Sequence, residues 1–248
     1  MSVLSNFIAD IKTLYHLAKP IQGNTHKERL KSFYESQSTD YDRFRRRLLK
    51  GREELYHSLA DTEIDKGIWV DFGGGTGANF ESIANDISRF EKIYIVDLSS
   101  SLLQIAKERI LDHDWTNVVT VEADVTEFVP EEKRVDVVTF SYSLTMIPDW
   151  FKAIEQAKRI LKPGGKIGVV DFYISRKYPS EGWQHHSFFT RYFWPIWFAT
   201  DNVFLSGEHL PYLHHNFEML SLTEQMGSLP FVPSFKVPYY RFIGSQKS

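Results

Sequence analysis

The chain has 248 residues, of which 42% are hydrophobic and 25% charged, and its formal net charge is −3, an ordinary balance for a globular protein. It contains no cysteine, which excludes a disulfide framework, a cysteine-ligated zinc site and thiol catalysis. A charge this close to neutral also does not fit a general nucleic-acid binder.

Residues 1–60 are predicted to form a helical extension ahead of the main domain, residues 61–248. Apolar residues recur at helical spacing over residues 4–18, up to Pro20, and again over residues 27–59. Charged residues interrupt the first stretch and no cleavage site follows it, so it is not interpreted as a signal peptide. No apolar run approaches the ~20 residues of a membrane-spanning helix. These features favour a cytoplasmic protein.

Strands and helices alternate from residue 68 onward. Alternation of this kind is typical of a mostly parallel sheet with helices on both faces. The predicted strands are 68–72, 92–97, 118–122, 135–141, 166–173, 219–225 and 236–245. The predicted helices run from a glycine turn to about residue 88, over 100–112 and over 149–161.

Aromatic residues are frequent and unevenly distributed, since 6 Trp, 12 Tyr and 19 Phe make up 15% of the chain. Residues 172–243 contain 19 of these rings. The richest part, about residues 175–216, shows no regular period and is interpreted as an insertion after the fifth strand. Its rings are candidates for the wall of an acceptor pocket, for a helix packed on the core, or for contact with a membrane surface, which Trp and Tyr suit.

A glycine-rich turn follows the first predicted strand. Gly73, Gly75 and Gly77 let the backbone approach a ligand closely and adopt positive φ, and the start of a helix adds exposed N–H groups. The spacing from Gly73 also matches a dinucleotide motif, in which Asp97, about 20 residues further on, would contact a ribose hydroxyl. A tight turn without a ligand is the plain alternative. Asp71, two residues before the first glycine, favours a third interpretation.

The positions of Asp71 and of these glycines resemble the first motif of class I S-adenosylmethionine-dependent methyltransferases. Four further segments resemble later motifs of that family, in the same order along the chain. They are the second strand with its acid (94–99), the acid after strand three (122–125), the segment after strand four (141–144) and the turn into strand five (161–165). The resemblance implies a Rossmann-like α/β fold with a seven-stranded sheet, and S-adenosylmethionine as the cofactor.

Chemistry agrees with the contacts that the resemblance implies. Asp97 would accept hydrogen bonds from both ribose hydroxyls, although an N-cap role, which the serines after it can also fill, is the alternative. Asp124 would accept a hydrogen bond from the adenine amino group and Val125 would donate its N–H to a ring nitrogen; a solvated loop carboxylate is the alternative for Asp124. Asp71 would favour the methionine ammonium, directly or through water. The full set predicted to bind the cofactor is Tyr41, Arg46, Asp71, Gly73, Gly75, Gly77, Asp97, Leu98, Asp124, Val125 and Ser141.

A narrower resemblance, over roughly residues 25 to 245, is to the methyltransferase part of betaine-lipid synthases. It is carried by segments 25–34, 41–55, 70–77, 183–215 and 237–244. Those enzymes methylate the amino group of diacylglyceryl-homoserine three times, giving diacylglyceryl-trimethylhomoserine. The resemblance implies a lipid substrate at a membrane surface and a peripheral location, at the endoplasmic reticulum in a eukaryote. It also implies a partner, the enzyme that forms the homoserine lipid, as a fused domain or a separate subunit.

Amine methylation requires a neutral amine, but not a dedicated strong base. With the pKa of ~8 of an ordinary α-amine, deprotonation at neutral pH costs only about 1.4 kcal/mol. A Tyr or His that accepts a hydrogen bond is then sufficient. The candidates are Tyr34, Tyr41, Tyr142, His185 and His186, and we select Tyr41, Tyr142 and His185 as candidate catalytic residues. A purely structural role is the alternative for each of them.

Other side chains leave their interpretation open. The basic cluster of residues 43–52 could attract anionic lipid, bind carboxylates or form a solvated helix face. The histidines of residues 185–215 lack cysteine partners, and none forms a helical i, i+4 pair beside a carboxylate, so no metal site is predicted. Methylation of another small amine or of RNA, and a non-catalytic partner subunit, are the alternative functions. The intact set of Asp71, glycines and Asp97 argues against a degenerate subunit, and no nucleic-acid partner is expected.

Overall fold

The computed structural model describes residues 47–61, 66–200, 202–229 and 235–247. Within these ranges seven strands form one sheet in the order β3-β2-β1-β4-β5-β7-β6. The strands are β1 Ile68–Phe72, β2 Lys92–Asp97, β3 Val118–Glu122, β4 Val135–Ser141, β5 Leu161–Phe172, β6 Phe217–Ser228 and β7 Lys236–Gln246. The helices are α1 Arg52–Ala60, α2 Ser100–Asp112, α3 Trp150–Ile160, α4 Phe188–Ala199 and α5 His209–Asn216. The helix predicted over residues 4–18 lies outside the described residues.

The sheet is parallel except for one strand. β1 to β5 pair in parallel, and β7 runs antiparallel between β5 and β6. The register between β4 and β5 is irregular at residues 162–165, where the sequence predicted a turn. The prediction of a seven-stranded, mostly parallel class I methyltransferase sheet is therefore confirmed. Because β1, β2 and β4 are parallel neighbours, their carboxyl ends meet at one edge of the sheet, where ligands bind in folds of this type.

Successive residues of each strand point to opposite faces of the sheet. In β2, Ile93 and Ile95 join a core with α1, α2 and α4, whereas Tyr94 and Val96 join a second core with α3 and α5. Both faces are thus covered by helices, as predicted. A strand buried on both faces is mostly apolar, which explains why β1, β2 and β4 are largely apolar rather than alternating. The polar exceptions inside these strands are Asp71 in β1 and Asp136 and Thr139 in β4.

Two predicted helices differ in the structure. The stretch after the glycine turn forms two short 3-10 turns, residues 78–83 and 87–89, instead of one α-helix. Here the Ser82 hydroxyl donates a hydrogen bond to the Asn79 carbonyl, and such local side-chain bonds compete with the helical pattern. Of the helix predicted over residues 27–59, the structure describes residues 47–59. In this part Gly51 has a left-handed φ of 81° and directly precedes α1, so the described residues do not form one continuous helix.

The predicted irregular insertion contains two helices, α4 and α5. At the start of α4 the Ser187 hydroxyl accepts a hydrogen bond from the Thr190 N–H, which caps the helix. A helix packed on the core was one of the alternatives for these rings, and α4 is such a helix. Its bounds were not predicted because α4 is apolar at nearly every position, so that no apolar stripe alternates with a polar one. None of the described helices combines the length and apolar character needed to cross a membrane.

Candidate active site

Two adjoining clefts open at the carboxyl edge of β1, β2 and β4. The first, which we call the acidic cleft, has a volume of about 240 Å³. Its lining residues are Gly73, Gly75, Asp97, Leu98, Leu102, Asp124, Val125, Thr126, Tyr142, Ser143, Met146, Ile147, Pro148 and Asp149. The second, the polar cleft, has about 270 Å³. Its lining residues are Arg52, Glu53, His57, Gly73, Gly74, Thr76, Ala78, Asn79, Glu81, Ser82 and Ser141.

The glycine turn separates the two clefts, and Gly73 lines both of them. Gly73, Gly75 and Gly77 have φ values of 70°, 55° and 67°, a region that favours glycine. A Cβ at Gly73 would lie 2.5 Å from the Ser143 Cβ. No larger residue fits there, because Ser143 already occupies the space on that side. Gly73 and Gly75 present backbone without a side chain to the acidic cleft. Gly77 shares the turn but lines neither cleft.

Asp97 lies at the end of β2 and holds the glycine turn. Its Oδ2 accepts a hydrogen bond from the Gly75 N–H at 3.0 Å, and its Oδ1 accepts one from the Ser99 N–H at 2.8 Å. The N-cap of α2 is Ser99, whose hydroxyl accepts a hydrogen bond from the Leu102 N–H. Asp97 is therefore not needed as the cap, and its carboxylate faces the acidic cleft beside Leu98.

Asp124 and Val125 line the same cleft on the far side from the glycine turn. Val125 is buried, and Asp124 is exposed. The Asp124 Oδ1 accepts hydrogen bonds from the N–H and the hydroxyl of Thr126, at 2.8 Å and 2.7 Å. This local turn fixes the direction of the carboxylate. With Asp97 and Asp149, Asp124 gives the cleft three carboxylates, and none of the described residues that line it is basic. Such an environment suits a cationic ligand.

Asp71 lies in β1 beneath the glycine turn and is fully buried. Its Oδ1 accepts hydrogen bonds from the hydroxyls of Tyr56 and Thr139, both at 2.7 Å. Its Oδ2 has no partner among the described residues and would lie 2.7 Å from a Cβ at Gly74. Burial raises the pKa of Asp71 to about 6, partly offset by the two hydroxyl bonds.

A chain of hydrogen bonds joins Asp71 to the polar cleft. The Arg52 guanidinium donates a hydrogen bond to the side-chain Oδ1 of Asn79 at 3.0 Å, and the side-chain Nδ2 of Asn79 donates one to the Tyr56 hydroxyl at 3.1 Å. Tyr56 in turn donates to Asp71. Arg52 thus places positive charge at this end of the site, which fits a carboxylate ligand. Ser141, at the end of β4, lines the same cleft with a buried hydroxyl that has no partner among the described residues.

Tyr142 follows Ser141 and lines the acidic cleft. Its φ of 53° is uncommon for a residue with a side chain, and such outliers concentrate at functional sites. The Tyr142 hydroxyl donates a hydrogen bond to the Lys50 carbonyl at 2.7 Å. Burial raises the pKa of Tyr142 well above its ordinary value. The residue thus offers the cleft a ring rather than a proton acceptor.

Two of the predicted residues, His185 and His186, line neither cleft. His185 is exposed, and its Nε2 lies 3.2 Å from the Lys177 carbonyl. His186 is buried, its Nδ1 accepts a hydrogen bond from the Ser175 N–H at 3.0 Å, and burial lowers its pKa to about 4. Tyr34, Tyr41 and Arg46 lie outside the described residues. In the described part of the chain, no group of three or more His, Asp or Glu residues could hold a metal ion.

Sequence reasoning missed the supporting residues Tyr56 and Thr139. A usable signal existed for Thr139, which is a polar residue within the apolar run of β4 at a fully buried position. A buried polar group needs a partner, and Asp71 on the neighbouring strand is in register with it.

Comparison with known proteins gives consistent matches. The family model described as the ubiE/COQ5 methyltransferase family matches residues 22–220. The chain is 28% identical over 152 residues to demethylmenaquinone methyltransferase of Chlamydia caviae, covering 61% of this chain and 64% of that protein. It is 27% identical over 104 residues to the ubiquinone/menaquinone biosynthesis C-methyltransferase UbiE of Hahella chejuensis, covering 42% of each. The matched part is less than two thirds of the length of either curated relative.

A solved structure with the same fold is phosphoethanolamine N-methyltransferase 2 of Haemonchus contortus, in complex with phosphomonomethylethanolamine and S-adenosylhomocysteine. The TM-score is 0.59 at 16% identity, and the match covers 79% of this chain and 52% of that one.

Proposed function

We propose that this chain, which belongs to the ubiE/COQ5 methyltransferase family and uses S-adenosylmethionine as its cofactor, methylates the amino group of diacylglyceryl-homoserine. Up to three transfers would give the betaine lipid diacylglyceryl-trimethylhomoserine. The motif resemblance over residues 25–245 supports this acceptor. The structural observation that carries the proposal is an exposed aromatic face on a helix that is connected to the wall of the acidic cleft.

The residues of the two clefts fit the cofactor. Gly73 and Gly75 line the acidic cleft with bare backbone, and Asp71 beneath the turn keeps a buried carboxylate oxygen without a partner among the described residues. Asp97 would hold the ribose and Asp124 the adenine, while Asp71 and Ser141 retain polar atoms for the methionine part. When bound, S-adenosylmethionine supplies an electrophilic methyl group on a cationic sulfur.

The aromatic face of α4 consists of residues that point away from the core. Trp194 and Phe198 anchor the other side of the helix, where both are buried. The exposed members are Phe188, Phe189, Tyr192, Ile196 and Trp197. Phe188, Tyr192 and Ile196 form one row at i, i+4 spacing, and Phe189 and Trp197 form an adjacent row with the half-buried Phe193 between them. The exposure reaches 75% at Phe188. An exposed apolar surface of this continuity marks a protein, ligand or membrane contact.

α4 is connected to the wall of the acidic cleft through two ring contacts. From the buried side of α4, the Phe198 ring packs on Phe172, with centroids 4.8 Å apart, and Phe172 packs on Tyr142 at 4.6 Å. After the helix, the Phe204 N–H donates a hydrogen bond to the Thr145 carbonyl at 2.7 Å. A substrate with a polar headgroup and apolar tails could therefore place its headgroup in the cleft while its tails follow the aromatic face.

The charge of this segment favours a lipid surface over an ordinary solvated helix. From residue 182 to residue 200 the chain has no acidic residue and a single basic one, Arg191. Lys236 is exposed beside Phe235, whose ring contacts Phe193 with centroids 6.2 Å apart. Trp and Tyr at a membrane interface, with cations at the border, are typical of peripheral contact with a bilayer. We therefore include peripheral membrane binding in the proposal.

Proton handling needs little help from the protein. The acceptor amine loses its proton to solvent at a cost of about 1.4 kcal/mol at neutral pH if its pKa is near ~8. Tyr142, which keeps its own proton, would contribute a ring face to the ammonium product, an attraction of ~0.5–2 kcal/mol. Most of the rate gain would come from holding amine and methyl group in line.

Methylation of a ring carbon of a membrane quinol is the second candidate, and the names of the curated relatives favour it. Such an acceptor is also amphiphilic and would use the same aromatic face. The two candidates differ in the atom that is methylated and in the number of transfers.

Purified protein should be incubated with labelled S-adenosylmethionine and vesicles of phosphatidylcholine that contain either diacylglyceryl-homoserine or a demethylated menaquinol. We expect lipid products heavier by one, two and three methyl groups from the first vesicles. Methylated quinol alone would replace the proposal by the second candidate. Binding of the cofactor with no transfer to either vesicle would refute both.

The role of the α4 face has a matched control within the chain. Ile196 on α4 and Leu111 on α2 are exposed to 71% and 76%. The substitution Ile196→Asp should reduce sedimentation with anionic vesicles and lipid methylation, whereas Leu111→Asp should change neither. Equal effects of the two substitutions would remove the membrane contact from the proposal.

A further inference from the structure

A fully buried carboxylate lies outside the two clefts, at the end of β5. The Asp171 Oδ1 accepts hydrogen bonds from the Thr145 hydroxyl and from the Phe172 N–H, both at 2.8 Å. Its Oδ2 accepts one from the Thr145 N–H at 3.2 Å. Burial raises the pKa of Asp171 to about 7, because an ionised group in the core loses its hydration. An apolar residue would fill this strand position without that cost, which indicates a role beyond packing.

The partner of Asp171, Thr145, is held by all of its polar groups. It lies in the single 3-10 turn Leu144–Met146 that follows β4. Asp171 accepts hydrogen bonds from the N–H and the hydroxyl of Thr145. The Thr145 carbonyl accepts one from the Phe204 N–H at 2.7 Å. Thr145 therefore joins the end of β5 to the segment that follows α4.

The residues on either side of Thr145 form the wall of the acidic cleft. Tyr142, Ser143 and Met146 line that cleft. Ser143 is fixed independently, since its hydroxyl donates a hydrogen bond to the Phe72 carbonyl at 2.9 Å. Asp171 thus fixes the part of the wall that lies nearer to the α4 segment, whereas Ser143 fixes the part that lies against the glycine turn.

We propose that Asp171 is a positioning residue for the methyl acceptor: by holding Thr145 it fixes the Leu144–Met146 turn between the acidic cleft and the segment after α4. The inference rests on methyl transfer at this site, and it holds for a lipid amine and for a quinol alike. Asp171 touches neither acceptor nor cofactor and acts only through Thr145.

Kinetic measurements at saturating cofactor test this role. Thr145→Val removes the hydroxyl bond at nearly constant shape, and we expect kcat/KM for the acceptor to fall at least about tenfold, as for the loss of one hydrogen bond to a charged group. Thr145→Ser keeps the hydroxyl and should restore most of the activity. A kcat/KM for the acceptor that stays at the wild-type value in Thr145→Val at saturating cofactor would overturn the proposal, because any defect seen at lower cofactor concentration would then belong to cofactor binding.

Hydrogen exchange gives a readout that needs no acceptor. In Asp171→Leu, the amides of Thr145 and Phe204 should exchange at least about tenfold faster than in the wild type, because the clamp that protects them is lost. The amide of Val70 in β1 serves as the internal control and should not change. Unchanged exchange at Thr145 and Phe204 would refute the clamp, that is, the hold of Asp171 on Thr145, even if the lipid assay succeeds. Accelerated exchange in a protein that methylates neither vesicle would leave the clamp intact and refute only the proposed acceptors.

Discussion

Replacing Asp71 by Asn should stabilise the cofactor-free protein above pH 6 and weaken cofactor binding at the same time. The carboxylate is fully buried, with one oxygen bound by two hydroxyls and the other without a partner among the described residues. Asn keeps an acceptor for Tyr56 and Thr139 and removes the buried charge. Functional groups often lower the stability of the fold, so replacing one of them can stabilise the protein while it impairs binding.

The size of the effect follows from the pKa of Asp71, which burial raises from 3.8 to about 6. A pKa difference of one unit corresponds to about 1.36 kcal/mol. Because the folded state binds the proton more tightly than the unfolded state, stability is lost as the pH rises from about 4 to about 6. At pH 8 the ionised carboxylate therefore costs about 3 kcal/mol, and at pH 5 roughly half of that.

Urea unfolding of the wild type and of Asp71→Asn, at several pH values between 5 and 8, measures this difference. Other titrating groups are common to both proteins and cancel in the comparison. The advantage of the variant should grow with pH, while calorimetry at pH 8 should show weaker binding of S-adenosylmethionine. A difference in unfolding free energy that does not change with pH would refute the reasoning about the buried charge. Unchanged cofactor affinity would refute the assignment of Asp71 to the site.

Three further predictions concern single residues. Gly73→Ala should abolish cofactor binding and destabilise the fold by about 1–3 kcal/mol, since a Cβ at φ 70° would lie 2.5 Å from the Ser143 Cβ; normal binding in calorimetry would contradict this. Asp97→Asn should weaken cofactor binding by about 1.5–3 kcal/mol through loss of charge-assisted hydrogen bonds, and titration of the variant with S-adenosylmethionine checks it. His209→Phe should protect against acid: burial lowers the pKa of His209 to about 3, so its neutral form contributes stability above about pH 6.5 that is lost as the pH falls. The melting temperature of the variant should exceed that of the wild type by a margin that increases as the pH falls from 7 to 4. A difference in melting temperature that does not change with pH would exclude His209 as a cause of acid destabilisation.

Local patterns predicted the part of the molecule that carries the cofactor site. The bounds of β1, β2, β3 and β4 agree with the predicted strands, because each is a short apolar run between turn residues. The resemblance to class I methyltransferase motifs selected Asp97, the last residue of β2, and Asp124, two residues after β3, and the structure has both lining the acidic cleft. Motifs of this kind are short and can be read from neighbouring residues in the sequence.

Contacts between distant residues were beyond this kind of reasoning. Asp71 is bound by Tyr56 and Thr139, which are 15 and 68 positions away, and Asp171 is bound by Thr145, 26 positions away. An acid after an apolar run can equally be solvated, and only the pairing of strands decides its partners. For α4 the obstacle was different, because rings on every side of the helix concealed which face is buried.

The position of β7 has a consequence for the order in which the protein folds. β7 comes after β6 along the chain but lies between β5 and β6 in the sheet. During synthesis β1 to β5 can pair as they emerge, whereas β6, which pairs with β7 in the described sheet, must wait for residues 236–246. Until then the aromatic segment between β5 and β6 is attached to the sheet at one end only. A nascent chain stalled before residue 236 would therefore leave the edge of β5 and the whole of β6 without the strand that pairs with both.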